Sequence, residues 1–211
     1  MTRHAQLRQI PAVCLVLALL LSSCFSRPAA TTAYVLTPLP AEAVVAASPV
    51  DVPGLIMVMP VRLPPELRQK GIVVQETGSA PKTLIGHLWA GPLNEQISAT
   101  LVANLQTLLG TANVAQYPGP RYSKPLFQVE TEIIRFSGDS QRFTLRAVTT
   151  ISDPKQRIIL SRKTFTETLH LAEENHPAYV AAASKVLGSW STDIATDLSS
   201  LMDKSAVRNT P

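Results

Sequence analysis

Cysteine, aromatic side chains and charge are all scarce in this chain. Its 211 residues hold two cysteines, 5% aromatics and 16% charged residues. No Gly-x-Ser-x-Gly elbow, phosphate-binding loop or dinucleotide fingerprint occurs, so the common frameworks for nucleophilic, nucleotide and hydride chemistry are missing. There is no run of lysine or arginine, and a formal net charge of +4 is too small to argue for nucleic acid. Beyond the first two dozen residues no hydrophobic stretch approaches the roughly 20 residues needed to span a bilayer. What remains is enough apolar material for one domain of ordinary size.

The N-terminus is the most informative segment. Arg3 and Arg8 precede the apolar segment from Ala12 to Leu21, and small residues follow, as in a secretory signal. Leu21-Ser22-Ser23-Cys24 then resembles the lipobox of bacterial lipoproteins. That resemblance implies cleavage before Cys24 and acylation of both its thiol and its new amine. A single acyl chain gives marginal attachment at about 0.8 kcal/mol per buried methylene, whereas several chains hold effectively permanently. Cys14 leaves with the leader, so no internal disulfide and no free thiol are expected in the mature chain. Loss of Arg3 and Arg8 leaves 17 basic against 15 acidic side chains. Phe25 is not the Asp that retains such proteins in the inner membrane, which points to the outer membrane.

The expected organisation is a signal peptide over residues 1–23, a lipidated tether over 24–33, one α+β periplasmic domain over 34–202 and a fraying tail over 203–211. Ser, Pro, Ala and Thr dominate the tether. Strands are predicted over 34–37, 55–61, 71–75, 83–89, 113–117, 126–136, 142–151 and 157–171. Phe127, Val129, Thr131 and Ile133 alternate with Gln128, Glu130 and Glu132, a period-two pattern for a half-buried strand. Ser137-Gly138-Asp139-Ser140 and Asp153-Pro154-Lys155-Gln156 are reversal signals, making the last three strands an antiparallel meander.

A first helix is predicted over Leu93–Leu109 from Ile97, Leu101, Leu105 and Leu108, with Pro92 opening it and Gly110 ending it. A second begins near Pro177 after a cap at Asn175. It runs to about residue 202 on a stripe of Val180, Ala183, Leu187, Trp190, Ile194, Leu198 and Leu201. Gly188 within it predicts a bend or a close contact. The fold class is therefore α+β, a mainly antiparallel or mixed sheet with two helices packed on one face.

Candidates for chemistry are few. His170 and His176, with Glu173 and Glu174 between them, lack helical ligand spacing and read as solvated loop polarity; no metal or cofactor is expected. Glu130 and Glu132 read as a solvated sheet face balanced by Arg146 or Arg162 rather than an acid/base pair. Trp190 reads as core. Trp89, at the sheet edge before Gly91-Pro92, reads as core with partner contact as its functional alternative. No catalytic residue is assigned, and Cys24 is the one residue given a functional role, as the lipidation site.

The order of parts also carries a family resemblance. Cys24, Tyr34-Val35-Leu36-Thr37-Pro38, Val61-Arg62-Leu63-Pro64-Pro65-Glu66-Leu67 with Ile72-Val73-Val74, and His87-Leu88-Trp89-Ala90-Gly91-Pro92-Leu93 together resemble the ABC-type transport auxiliary lipoprotein family, the PqiC/YmbA-like proteins. Arg68-Gln69-Lys70-Gly71 departs from that pattern, lacking an acidic residue and an Arg-Pro pair. The resemblance implies an α+β fold and an outer-membrane lipoprotein facing the periplasm. It also implies an MCE-domain partner within a system moving lipids or other hydrophobic molecules between two membranes. The expected role is a non-catalytic docking subunit; the alternative is a lipid carrier with an apolar cavity between sheet and helices. For a third reading, an envelope hydrolase, no residue can be named.

Overall fold

The computed structural model describes residues 30–41, 52, 54–76, 78–120 and 124–208, with side chains as far as Lys204. Contacts divide the chain into Met1–Thr31 and Thr32–Pro211, and every helix and strand named below lies in the second unit. Cys24 lies outside the described residues. The elements run β1 (Thr32–Tyr34), β2 (Leu55–Val58), a 3-10 turn (Pro65–Leu67), β3 (Gly71–Val74), β4 (Lys82–Trp89), α1 (Leu93–Leu109), β5 (Val114–Gln116), β6 (Pro125–Gly138), β7 (Arg142–Asp153), β8 (Ile158–His170) and α2 (His176–Arg208). The fold is α+β, with two mixed sheets in place of the one expected. The larger sheet has the order β5-β2-β6-β7-β8 and the smaller β1-β4-β3.

The meander β6–β8 is built as its alternation predicts. Val129 faces Ile151, Ile133 faces Ala147, and Ala147 faces Phe165 across antiparallel ladders. Both connecting turns are organised by an aspartate. The Asp139 carboxylate accepts the N–H groups of Gln141 and Arg142 at 2.9 Å each. Those N–H groups and the Arg142 guanidinium hold its pKa below the usual carboxylate value against the opposing effect of burial. Asp153 does the same for Lys155 and Gln156 at 2.8 and 2.9 Å. Gly138 is required because a Cβ there would lie 1.8 Å from the Arg142 carbonyl oxygen. A register shift between Ile133 and Arg135 turns Ile134 out to solvent and returns Phe136 to the core.

Strand β2 is shorter than the predicted 55–61. Its parallel ladder to β6 continues through Met59 N–H to the Val129 carbonyl, but Pro60 has no N–H to offer. Pairing resumes at Arg62, which donates to Thr131 and accepts from Ile133.

Helix α1 buries Leu93, Ile97, Leu101, Leu105 and Leu109, a stripe at four-residue steps. Leu108, expected in that stripe, is only half-buried. Gly110 ends the helix at φ 63°, and its N–H and that of Thr111 satisfy the last carbonyls. Asn175 caps α2, its side-chain oxygen accepting the Ala178 N–H at 2.8 Å. α2 continues to Arg208, so helix replaces the fraying expected from Asp203, and its 33 residues span about 50 Å. Both helices cover one face of the larger sheet, α1 over β5 and β2, α2 over β6 to β8. Between the layers Phe143, Leu145, Leu187 and Trp190 are wholly buried. Trp190 also donates from its indole nitrogen to Thr149 on β7 at 3.0 Å.

Tyr179 joins all three layers. From α2 its hydroxyl donates to the Val73 carbonyl of β3 at 2.7 Å and accepts the Gly138 N–H of β6 at 2.9 Å. The sheets also meet directly, through the Gln75 N–H and the Gly138 carbonyl at 2.7 Å. Burial raises the Tyr179 pKa well above that of a free phenol. Tyr179→Phe leaves a buried donor and a buried acceptor short of a partner. The variant is expected to lose about 1–3 kcal/mol of stability, read as a lower urea midpoint at unchanged slope.

Candidate functional site

The residues that receive the N-terminal segment form the most organised polar arrangement in the domain. Strand β1 pairs in parallel with the end of β4, Thr32 beside His87 and Tyr34 beside Trp89. The chain then leaves the sheet as a strap over residues 35–40, where a strand to Thr37 was expected. It cannot extend as a strand because its N–H groups are taken by helix side chains. Leu36 donates to Gln96 Oε1 at 3.0 Å, Thr37 to Ser184 Oγ at 3.1 Å and Leu39 to Asn104 Oδ1 at 2.7 Å. Pro38 and Pro40 have no N–H to satisfy. The strap thus crosses α1 and α2 with these three N–H groups matched.

Asn104 stands at the centre. It is wholly buried, and its amide donates to Ser191 Oγ at 2.9 Å, which in turn donates to the Leu187 carbonyl at 2.8 Å. The relay runs from strap to α1 to α2. Beside it, Leu39 fills the space over Gly188, where a Cβ would meet Leu39 Cδ2 at 2.7 Å. Gly188 is therefore a site of close contact. The small residues before it have the same use, since Ser184 binds the strap while donating to Val180.

A ring cluster holds the start of the strap. The Tyr34 hydroxyl lies 3.0 Å from His87 Nδ1. His87 stacks on His176 at the first turn of α2, with ring centroids 3.8 Å apart and planes at 29°. This pair joins positions 89 residues apart, and no spacing in the sequence signals it. His170, the partner considered for His176, sits on β8 opposite Arg142 instead. Among the described residues no group of three His, Cys, Asp or Glu side chains converges as a metal site would require.

The acidic pair of β6 is balanced differently from expectation. Glu130 and Glu132 face Thr150 and Val148 across the ladder, and Arg146 faces Arg135. The cation beside them is Arg62, 3.8 Å from Glu130 and 3.6 Å from Glu132, placed there by its own bridge to β6. These exposed pairs contribute little to stability. Arg62, Leu63, Pro64 and Pro65 line an open groove of about 780 Å³ with Asn94 and Ile134. Arg68 closes the turn by donating from Nε to the Leu63 carbonyl at 3.1 Å. Trp89 is 5% exposed and packs against Phe136 at a centroid distance of 6.3 Å, so its ring supports the end of β4 from within the core.

With this geometry in place, comparison with known proteins is decisive on kinship. The family model described as "ABC-type transport auxiliary lipoprotein component" matches residues 34–195. The chain belongs to this family. Its description makes the protein a lipoprotein with an accessory role in ABC-type transport. Two crystal structures share the family fold. One, of an uncharacterised protein, has a TM-score of 0.65 at 20% identity, covering 80% of this chain and 99% of its own. The other is a Xanthomonas campestris protein of the DUF330 family model, with a TM-score of 0.65 at 19% identity, covering 83% and 97%. A comparison with curated proteins finds no match. No helix among the described residues is long and apolar enough to cross a membrane.

Two predictions follow from the site's polar groups. Asn104→Ala strands the Leu39 N–H and leaves Ser191 without its donor, so unfolding free energy should fall by about 1–3 kcal/mol. Proteolysis within residues 35–40 should quicken at the same time, since the strap loses its central hold. The second concerns pH. Burial chiefly, and then the neighbouring His87, lower the His176 pKa from 6.5. The unfolded chain therefore takes the proton first, and this part of the stability is complete above about pH 6.5 and is lost as pH falls below it. His176→Phe keeps a ring against His87 but cannot titrate. Between pH 7.5 and 5.5 its urea midpoint should drop less than that of the unmodified protein.

Proposed function

We propose that this protein is the outer-membrane, periplasm-facing docking subunit of a transport system that moves lipids or other hydrophobic molecules between the two membranes. Residues 1–23 serve as the export leader, Cys24 carries the acyl chains, and residues 24–33 tether the domain. An MCE-domain periplasmic protein is the partner, and the subunit performs no catalytic step. The observation that carries the reading is the family match over residues 34–195, which begins where the tether meets the domain.

The domain's interior favours docking over carriage. A lipid carrier needs an apolar hollow, and the space between helices and sheet is occupied by Trp190, Phe143, Leu145 and Leu187. The concavity around Arg62 and Pro64 is open to solvent and lies at the surface, as a protein-contact groove does. The lipobox-like sequence supplies the anchor, and Phe25 at the next position favours the outer membrane.

Cys24→Ala tests the assignment. The variant should be exported and folded, be released in soluble form and fail to support transport, while the unmodified chain stays with the outer membrane and crosslinks to the MCE-domain protein. Full transport by the soluble form, or no crosslink to that partner at normal expression, would sink the proposal.

A further inference from the structure

We propose that the arch of β4 around Ile85 is a phospholipid contact, seating the domain on the bilayer that holds the acyl chains of Cys24. The proposal rests on the lipidation of Cys24. Two steps along β3, from Gly71 to Val73, span five along β4, from Leu88 to Thr83, so the middle of β4 bows away from its neighbour. Gly86 takes a φ of 75°, which the arch requires and which favours glycine. Leu84 turns back toward the core, and Ile85 is left 91% exposed.

A single exposed isoleucine is ordinary on a protein surface. Its position distinguishes this one. Thr32 of β1 pairs with His87, so Ile85 lies at the end of the parallel β1–β4 pair where β1 begins. Eight residue steps lead from Cys24 to Thr32, which at full extension reach about 26 Å. An acylated Cys24 therefore keeps this end of the domain within about 26 Å of the lipid surface. Lys82, exposed at the start of β4, places a cation near the arch, suited to a phosphate headgroup beside an inserted apolar side chain.

The arch stands on a fixed base. His87, two residues after Ile85, is held by the Tyr34 hydroxyl and by its stack on His176. Such pre-organisation removes the ordering cost of the contact. One inserted side chain could not recruit a free protein, but a tether makes the encounter intramolecular, where a weak contact suffices to choose an orientation.

The test uses the full lipidated chain in vesicles of phosphatidylethanolamine and phosphatidylglycerol. Loss of Cys14 and acylation of Cys24 leave no competing thiol, so Ile85→Cys takes a single environment-sensitive nitrobenzoxadiazole label. Thr166→Cys, on the exposed face of β8, serves as the control. The label at 85 should shift to the blue and lose emission to spin-labelled lipid, while the label at 166 does neither. Water-like emission at both positions, on chains whose mass includes the acyl groups, overturns the contact and leaves the anchor standing. A mass without acyl groups overturns both. In cells, a photoreactive residue at 85 should form phospholipid adducts; a protein adduct in their place would assign the arch to a partner and overturn the contact.

Discussion

Asn104 occupies the meeting point of three pieces of chain that have no other reason to be together. Its oxygen takes the Leu39 N–H of the strap, and its nitrogen reaches Ser191 on the second helix. A wholly buried amide is tolerated only when its donors and acceptors are matched, and the cost of leaving them unmatched makes the arrangement specific. If the helices slid along one another, Asn104 and Ser191 would separate. If the strap lifted, a buried carbonyl would be stranded. The fit of Leu39 over Gly188 depends on the same registration. Apolar packing supplies most of the cohesion between helices and sheet, and this polar relay selects one alignment from those that packing alone would allow.

The parts legible in the sequence were those governed by a short period. β6, β7 and β8 alternate at every second residue and α1 repeats at every fourth, so near-neighbours in the chain reveal the faces. The strap was not legible, because the partners of Leu36, Thr37 and Leu39 lie 60, 147 and 65 residues away. Local composition reads that stretch as a strand ended by prolines, whereas the prolines complete a path in which the N–H groups of Leu36, Thr37 and Leu39 all find side-chain acceptors. Asn104 did leave a signal, a polar residue beside Leu105 on the apolar stripe of α1. Such a residue asks for a buried partner without naming it. The His87–His176 stack left none. Cys24 and the leader-like segment before it, the clearest signals in the sequence, fall outside the described residues.

Several titratable groups of the folded domain act in structure. Asp139 and Asp153 shape turns, Tyr179 joins the sheets, Lys163 pairs with Asp197 to hold α2 against β8, and Glu130 and Glu132 share Arg62. For an accessory transport lipoprotein this distribution is sensible. The docking role proposed above needs a fixed place and orientation, which rewards rigidity between the point of attachment and the surfaces presented to other components.

The parallel pairing of β1 with β4 has a mechanical consequence. Tension applied at Thr32 along the axis of β1 loads its hydrogen bonds to β4 together, in shear, rather than one after another as in peeling. The side-chain bonds of the strap to Gln96, Ser184 and Asn104 lie behind that first line and share the load with both helices. A pull transmitted through β1 is therefore met by the helices as well as by the smaller sheet.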